Sequence, residues 1–304
     1  TPKNPMILSV LVGSGIQLLI MALTTCFFAL FGLLSPSNRG SLSTIMFILY
    51  AVYGFVGSFF SAYIYKFFNG EDWKTNMILT PLLVPGTIFS VFVFLNFFLI
   101  FEHSSGAVPI GTMIAIVSIW FIISVPLSYF GSLMGIKKVP IEIPVKVNQI
   151  PRQIPPQPWY KKTPTMALIA GIFPFGAISI EMYFIFTSIW FNRIYYMFGF
   201  LFFCIVLMLF TSALVTLLLI YFTLCNENYQ WQWKSFFIGG GVSVYIFIHA
   251  LLLSKMSLGN LTSVVLYVGY SCIISLGVGI MCGAIGFIAS MFLTLNIYRQ
   301  LRVD

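Results

Sequence analysis

Long apolar runs alternate with short polar turns along nearly the whole chain of 304 residues. Each run is about 20 residues or longer, the length that an α-helix needs to cross the hydrocarbon core of a bilayer. Because a backbone in lipid must satisfy its own hydrogen bonds, we predict that the runs are transmembrane helices. The pattern predicts eight spans, at about residues 5–34, 42–67, 75–101, 108–136, 166–190, 195–225, 235–253 and 262–297.

One long segment, 137–165, breaks this pattern. It holds seven of the 15 prolines and six of the 15 basic residues. Proline fixes φ and lacks an N–H, so the segment is predicted to be an extended connector and not a helix. The fold class is therefore an all-α polytopic membrane bundle with two groups of four helices. The first group is 1–136, the second is 166–297, and a tail of residues 298–304 follows.

Composition excludes a water-soluble domain. The chain is 60% hydrophobic and 7% charged, whereas a soluble domain carries about 25% charged residues. A formal net charge of +8 is compatible with nucleic-acid binding, but basic residues in a membrane protein more often determine its orientation. We expect no nucleic-acid partner. The five cysteines lie within apolar runs or at their edges and are predicted to be core residues, so no metal or cofactor is expected.

The basic residues are distributed unequally between the two sides of the membrane. With eight spans, both ends of the chain lie on one side, together with the connector. That side holds all but three of the 15 Lys and Arg residues, the exceptions being Arg39, Arg193 and Lys255. The positive-inside rule therefore predicts that both termini and the connector are cytosolic. Because residue 1 is Thr, we also expect this chain to be the C-terminal part of a longer protein.

Several motifs resemble signature stretches of the transmembrane 9 superfamily, the nonaspanins. They are NQIPRQIP at 148–155, YYMFGF at 195–200, YQWQWKSF at 229–236, WKTN at 73–76, WFIISVPL at 120–127 and the tail RVD at 302–304. The resemblance is collinear over nearly all 304 residues. It implies that this chain corresponds to the last eight helices of a protein that also has an N-terminal lumenal domain and one helix after it.

The resemblance implies a place in Golgi and endosomal membranes and a non-enzymatic role in sorting other membrane proteins. The expected partners are membrane lipids and client transmembrane helices, notably glycine-rich ones. The terminal residues Arg302, Val303 and Asp304 resemble the family's Lys-x-Asp signal, which engages the coatomer coat. Arg replaces Lys here, and a pocket shaped for an ammonium group is expected to bind a guanidinium less well. The alternative is that a short soluble tail is simply charged.

Glu181 lies in the middle of the fifth span, where an ionised carboxylate is costly unless it is protonated, paired or beside a cavity. It is either a functional contact for a client, proton or ion, or an interhelical hydrogen bond that holds the bundle. His249 in the seventh span is a candidate partner, and a Glu–His pair would suggest proton coupling. A hydrogen-bonded core histidine is the preferred interpretation of His249. An intramembrane Glu181 also supports an alternative function, transport of an ion or a small molecule.

Glycines form two faces that are predicted to serve helix packing or to form a groove for client helices. Small residues let helices approach closely in lipid, where apolar surfaces have no tendency to associate for hydrophobic reasons. The faces consist of Gly239, Gly240 and Gly241 in the seventh span and Gly279, Gly283 and Gly286 in the eighth.

The chain shows no pattern typical of intramembrane enzymes. An aspartyl protease needs two aspartates within the membrane, whereas Asp72 and Asp304 both lie outside the predicted spans. A zinc protease needs His-Glu-x-x-His, and the sequence does not contain it. We therefore predict that this region is not catalytic.

Overall fold

Eight hydrophobic spans fold into one α-helical membrane bundle in the computed structural model, which describes residues 2–30, 39–101, 109–145, 150–190, 198–253 and 261–300. The helices of the first half are α1 (Pro5–Leu30), α2 (Arg39–Val52), α3 (Gly54–Phe67), α4 (Trp73–Leu79), α5 (Leu83–Phe101), α6 (Ile110–Ile119) and α7 (Val125–Lys137). Those of the second half are α8 (Thr163–Trp190), α9 (Phe198–Cys225), α10 (Gln232–Gly239), α11 (Val242–Leu253) and α12 (Leu261–Gln300).

Seven helical segments in the described ranges are long and apolar enough to cross a membrane, and a bent pair supplies the eighth span. The bent pair is α2 with α3, which meet at an angle of 40°. The all-α polytopic bundle predicted from the sequence is confirmed. Spans three, four and seven are each built from two shorter helices, because α4 continues into α5, α6 into α7, and α10 into α11.

Backbone chemistry explains these breaks. Pro81 lies between α4 and α5, and Pro85 lies in the first turn of α5, so two backbone donors are missing there. A π-helical turn, Trp120–Ser124, joins α6 to α7 immediately before Pro126. Gly240 and Gly241 separate α10 from α11. By contrast, Pro174 is accommodated inside the continuous helix α8.

Helix α1 lies at the centre of the bundle and contacts α3, α9 and α12, so it joins the two halves of the chain. Its approach to α3 is very close. A Cβ added at Gly13 would collide with the carbonyl oxygen of Gly57, and one added at Gly57 would lie 2.7 Å from Oε1 of Gln17. Only glycine permits the two backbones to pack at this distance.

The core divides into two clusters. One combines apolar residues of α1, α8, α9, α11 and α12, including Ile178 and Met208. The other centres on Phe287 of α12, whose ring is fully buried between those of Phe68 (centroids 5.8 Å apart) and Trp231 (5.5 Å apart). Helices α5 and α6 lie outside both clusters and border the lipid side of the bundle.

The proline-rich connector is anchored at both of its ends by lysines. Nζ of Lys66 donates hydrogen bonds to the carbonyls of Ile136 (2.6 Å) and Lys138 (3.0 Å), which satisfies acceptors at the end of α7. Nζ of Lys234 donates to the carbonyl of Lys161 at 2.9 Å, just before α8 begins. The irregular segment is 138–162, apart from one 3₁₀ turn and residues 146–149, which lie outside the described ranges.

Candidate functional site

Glu181 lies on the face of α8 that packs into the bundle, next to Ile178 and Met182, and its exposed fraction is 0%. The thiols of Cys26 on α1 and Cys204 on α9 lie within electrostatic range of its carboxylate. Glu181 is also not isolated, because it makes at least one polar or electrostatic interaction with another described residue. The side chain therefore faces the protein interior, as the cost of burying a carboxylate in lipid requires.

His249 on α11 forms neither the candidate pair with Glu181 nor the preferred core hydrogen bond through Nδ1. That nitrogen is buried and has no hydrogen-bond partner among the described residues. The imidazole instead packs edge-on against the ring of Phe175, with centroids 5.5 Å apart. His249 is therefore a half-buried residue in contact with an aromatic ring, and no Glu181–His249 link through Nδ1 is present.

The two glycine faces pack against the chain's own helices. Added Cβ atoms at Gly239 and Gly240 would meet the backbone of α12 at Cys282 (2.7 Å) and Gly279 (2.9 Å). One at Gly241 would collide with the carbonyl of Ala167 on α8. Those at Gly279, Gly283 and Gly286 would meet Ser243 (2.7 Å), Phe236 (2.8 Å) and Thr216 (3.0 Å). Of the two predicted roles, the structure supports helix packing, because these faces are already occupied and offer no groove to a client.

A buried polar cluster was missed by the sequence analysis. The side-chain amide of Asn76 on α4 donates to Oγ of Ser9 on α1 and Oγ of Ser61 on α3, both at 3.2 Å. Oγ of Ser61 and Oγ1 of Thr80 are 2.9 Å apart. Gln17 makes a similar interhelical bond, from Nε2 to the carbonyl of Tyr50 at 2.6 Å. Asn76 and Gln17 lie within apolar runs of the sequence. This placement could have indicated the cluster, because a buried amide in a membrane needs hydrogen-bond partners.

These intramembrane polar groups are sealed. Asn76 is 1% exposed and Gln17 3%, and Glu181 is completely covered. None of the three lines either of the two apolar cavities described below. The cluster therefore acts as interhelical hydrogen bonding that locks α1, α3 and α4 together.

The first of two apolar cavities lies between α2, α5, the α6–α7 junction and α12, and has a volume of about 480 Å³. Its lining is almost entirely apolar and rich in aromatic rings. The lining residues are Phe47, Tyr50, Pro81, Leu82, Pro85, Gly86, Ile88, Phe89, Phe92, Ile116, Val117, Trp120, Phe121, Tyr270 and Ile273. A cavity of this size and character suits an apolar ligand.

The second cavity lies on the opposite side of α5, between α5, α1 and α12, with a volume of about 690 Å³. Apart from Thr87 and Cys272, every residue of its lining is apolar or a glycine. Ile88 and Ile273 line both cavities, so α5 stands between two apolar spaces. Only three residues of α5 are buried: Val84, Leu95 and Asn96.

Helix α6 beside the first cavity contains no buried residue among its ten positions. Ile110 is 68% exposed and Ile114 is 62% exposed to the surroundings of the bundle. In a membrane such a helix contacts lipid, or another transmembrane helix, over most of its circumference. Together, α5, α6 and the two cavities form the loosely packed lateral side of the protein.

Other predicted features fall outside the described residues. The coat-binding candidates Arg302, Val303 and Asp304 are among them, although α12 continues in helical form to Gln300, three residues beyond the predicted exit point. In the described ranges, no three His, Cys, Asp or Glu side chains come together as metal ligands.

The chain is similar to curated proteins along its whole length and to one family model over most of it. A family model described as Endomembrane protein 70 matches residues 1–261. The chain is 56% identical over 306 residues to Transmembrane 9 superfamily member 1 of Saccharomyces cerevisiae, covering 100% of the chain and 46% of that relative. It is 46% identical over 305 residues to member 2 of Mus musculus, with 100% and 46% covered. The chain thus spans about half the length of these relatives, and no solved structure matches it.

Proposed function

Since this chain belongs to the transmembrane 9 superfamily, a family of endomembrane proteins, we propose that it acts as a non-enzymatic sorting factor for other membrane proteins in the Golgi and endosomes. In this proposal the helices recognise clients within the plane of the membrane. The clients are proteins whose transmembrane helices are rich in glycine, as the family resemblance implies.

One observation carries the proposal: the buried polar groups are sealed inside the bundle, while the loosely packed side facing lipid is apolar. A transporter needs a water-filled route to its intramembrane charged group. Glu181 has no exposed surface, and the two apolar cavities do not reach it. This arrangement favours contact with apolar membrane components over the transport alternative.

Helix α6 is the proposed contact for client helices. Helix association in lipid depends on close van der Waals packing, so a recognition surface must be free of the protein's own helices. The two glycine faces do not meet this requirement, whereas no helix among the described residues covers the exposed side of α6 around Ile114. A glycine-rich client helix allows the backbones to approach closely against the isoleucine side chains of α6.

Site-specific photocrosslinking tests this contact. A photoreactive amino acid is placed at Ile114 of the full-length protein in cells, with Phe210 of α9, which is also 62% exposed, as the matched control position. The probe is a membrane reporter with a glycine-rich span, compared with the same reporter after its glycines are replaced by leucine.

We expect crosslinks from position 114 to the glycine-rich reporter and few to the leucine version or from position 210. Equal capture of both reporters at both positions would indicate random collision in the bilayer and would overturn the proposed contact.

The tail is the proposed contact with the coatomer coat. A terminus that offers a cation followed by two negative groups, the Asp304 side chain and the α-carboxylate, fits a complementary charged pocket. Appending a few alanines after Asp304 moves the carboxylate and is expected to shift the protein from the Golgi to later compartments. An unchanged distribution, with unchanged coat binding of the tail peptide, would support the simpler view of a charged tail without a partner.

A further inference from the structure

Three spans are interrupted where they meet around the first cavity, and one of them, α2 with α3, is also bent. The α2–α3 bend, the Pro81 break and the π-helical turn that begins at Trp120 are joined by direct contacts. The Trp120 ring stacks on Tyr50 of α2, with centroids 5.4 Å apart, and its indole Nε1 donates to the carbonyl of Pro81 at 3.2 Å. Residues at or near the three interruptions therefore line the cavity, and the contacts of Trp120 hold the three spans together there.

The apolar lining of the first cavity favours a hydrocarbon ligand over a polar one. Tyr50, Trp120 and Tyr270 carry the only polar side-chain atoms among the lining residues. The Trp120 donor is engaged by the Pro81 carbonyl. The Tyr50 hydroxyl has no hydrogen-bond partner among the described residues, but its oxygen is buried and is not exposed to a ligand in the cavity. A headgroup or an ion would lose its hydration here without compensation from hydrogen bonds.

Neither cavity is large enough to enclose a transmembrane helix. A helix with side chains is about 10–12 Å wide, and crossing a hydrocarbon core of about 30 Å requires roughly 2,400–3,400 Å³. The cavities measure about 480 and 690 Å³, several times less. A flexible acyl chain fits a space of this size, and both cavities open at the side of the bundle.

The two cavities also leave α5 poorly supported by protein. Both faces of this helix border apolar space, and contacts that are lost to a void are not recovered elsewhere in a close-packed interior. We propose that the cavities on either side of α5 are binding sites for acyl chains of bilayer phospholipids, which complete the packing of α5 against α2, α6 and α12. This inference is independent of the sorting function proposed above.

Glycines supply clean test substitutions. A Cβ added at Gly86, which lines the first cavity, or at Gly277, which lines the second, would meet nothing within 4 Å. Gly176 on α8 has the same free space but lines neither cavity. Gly86→Leu and Gly277→Leu therefore fill the two cavities, and Gly176→Leu is the matched control.

The experiment uses the full-length protein in nanodiscs that contain a phosphatidylcholine with a diazirine on its acyl chain. Labelled peptides are mapped by mass spectrometry after illumination. We expect labelling on the cavity-facing residues of α5 and α12, a several-fold loss at the first cavity in Gly86→Leu and at the second in Gly277→Leu, and no change in Gly176→Leu. Phe92→Ala enlarges the first cavity and should increase its labelling, so the test does not depend on a loss alone.

Uniform labelling of all lipid-facing helices that is insensitive to the three glycine substitutions would overturn the proposal.

A second experiment uses a photoreactive sterol in place of the phospholipid probe, because Tyr270 offers one hydroxyl to such a ligand. Strong labelling of the cavities by the sterol, with displacement of the phospholipid probe, would also contradict an acyl-chain site.

Discussion

The indole N–H of Trp120 donates a hydrogen bond to the carbonyl of Pro81, 3.2 Å away and 39 residues earlier in the chain. In a regular helix that carbonyl would accept from the N–H of residue 85, but residue 85 is proline and has no N–H. Trp120 thus replaces the donor that the proline removes. The bond ties the broken third span to the π-helical turn of the fourth span, at the wall of the first cavity.

The substitution Trp120→Phe tests this relationship. The smaller ring would keep the aromatic contact with Tyr50 but leave the Pro81 carbonyl without its donor, which costs about 1–3 kcal/mol of unfolding free energy for a buried acceptor. Denaturant titration in mixed micelles measures the loss. Trp159→Phe is the control, since Trp159 is 73% exposed and should be neutral. Equal stability of both variants would mean that the hydrogen bond contributes nothing.

Gly241→Ala should destabilise the bundle. The added methyl group would collide with the carbonyl of Ala167, forcing α8 away from α11 at an overpacking cost of about 1–3 kcal/mol. Gly176→Ala on α8 meets no atoms and serves as the control. Thermal unfolding in nanodiscs should show a lower midpoint for Gly241→Ala alone; a wild-type midpoint would argue against such close helix packing.

Comparing Glu181→Gln with Glu181→Lys should distinguish the effect of side-chain shape on folding from the effect of charge. Gln keeps the shape and hydrogen-bonding capacity of a protonated carboxyl, so this variant is expected to fold and reach its normal compartment. Lys places a cation in a fully buried position without a carboxylate partner there, and it should prevent folding. Yield of monodisperse protein after extraction is the readout. A well-folded Lys variant would show that the site tolerates a cation and is not sealed.

The orientation of the chain rests on the charge asymmetry and is tested at the connector. Gln153 is exposed, and the Gln153→Cys variant should react with membrane-impermeant maleimide only when the reagent reaches the cytosolic side. The parent chain, with Gln153 and its native cysteines retained, controls for background from the exposed Cys225. Labelling of the Gln153→Cys variant from the lumen, above that background, would reverse the predicted topology.

Much of the architecture was predictable because hydrophobic length determines spans in a membrane. The sequence also contains the cause of the break near Pro81 and Pro85, because proline has no backbone N–H. It did not indicate which group would compensate the Pro81 carbonyl, because the Trp120 donor belongs to another span and the pairing depends on tertiary structure. The same applies to Asn76, whose serine partners lie 67 and 15 residues away.

The candidate site was less predictable than the fold. Glycine spacing predicts close helix contacts, but spacing alone does not say whether the neighbour is a helix of the same chain or of a client. The structure supplies the neighbours of Gly241 and Gly283 and so moves the proposed client surface to α6. A helix with no buried residue has the same sequence pattern as any other apolar span, because exposure to lipid and burial in protein both favour apolar side chains.

The most direct test of the account is whether the exposed surface of α6 is required for sorting. Cells that lack the protein are given the wild type, Ile114→Trp or the matched control Phe210→Trp, and the fraction of a glycine-rich membrane reporter at its normal destination is measured by surface biotinylation. Trp adds bulk that blocks a helix from approaching α6 closely without burying a charge. The account predicts rescue by the wild type and by Phe210→Trp, and failure of Ile114→Trp at equal expression. Full rescue by all three, or an equal response of a reporter whose span glycines are replaced by leucine, would contradict recognition at this surface.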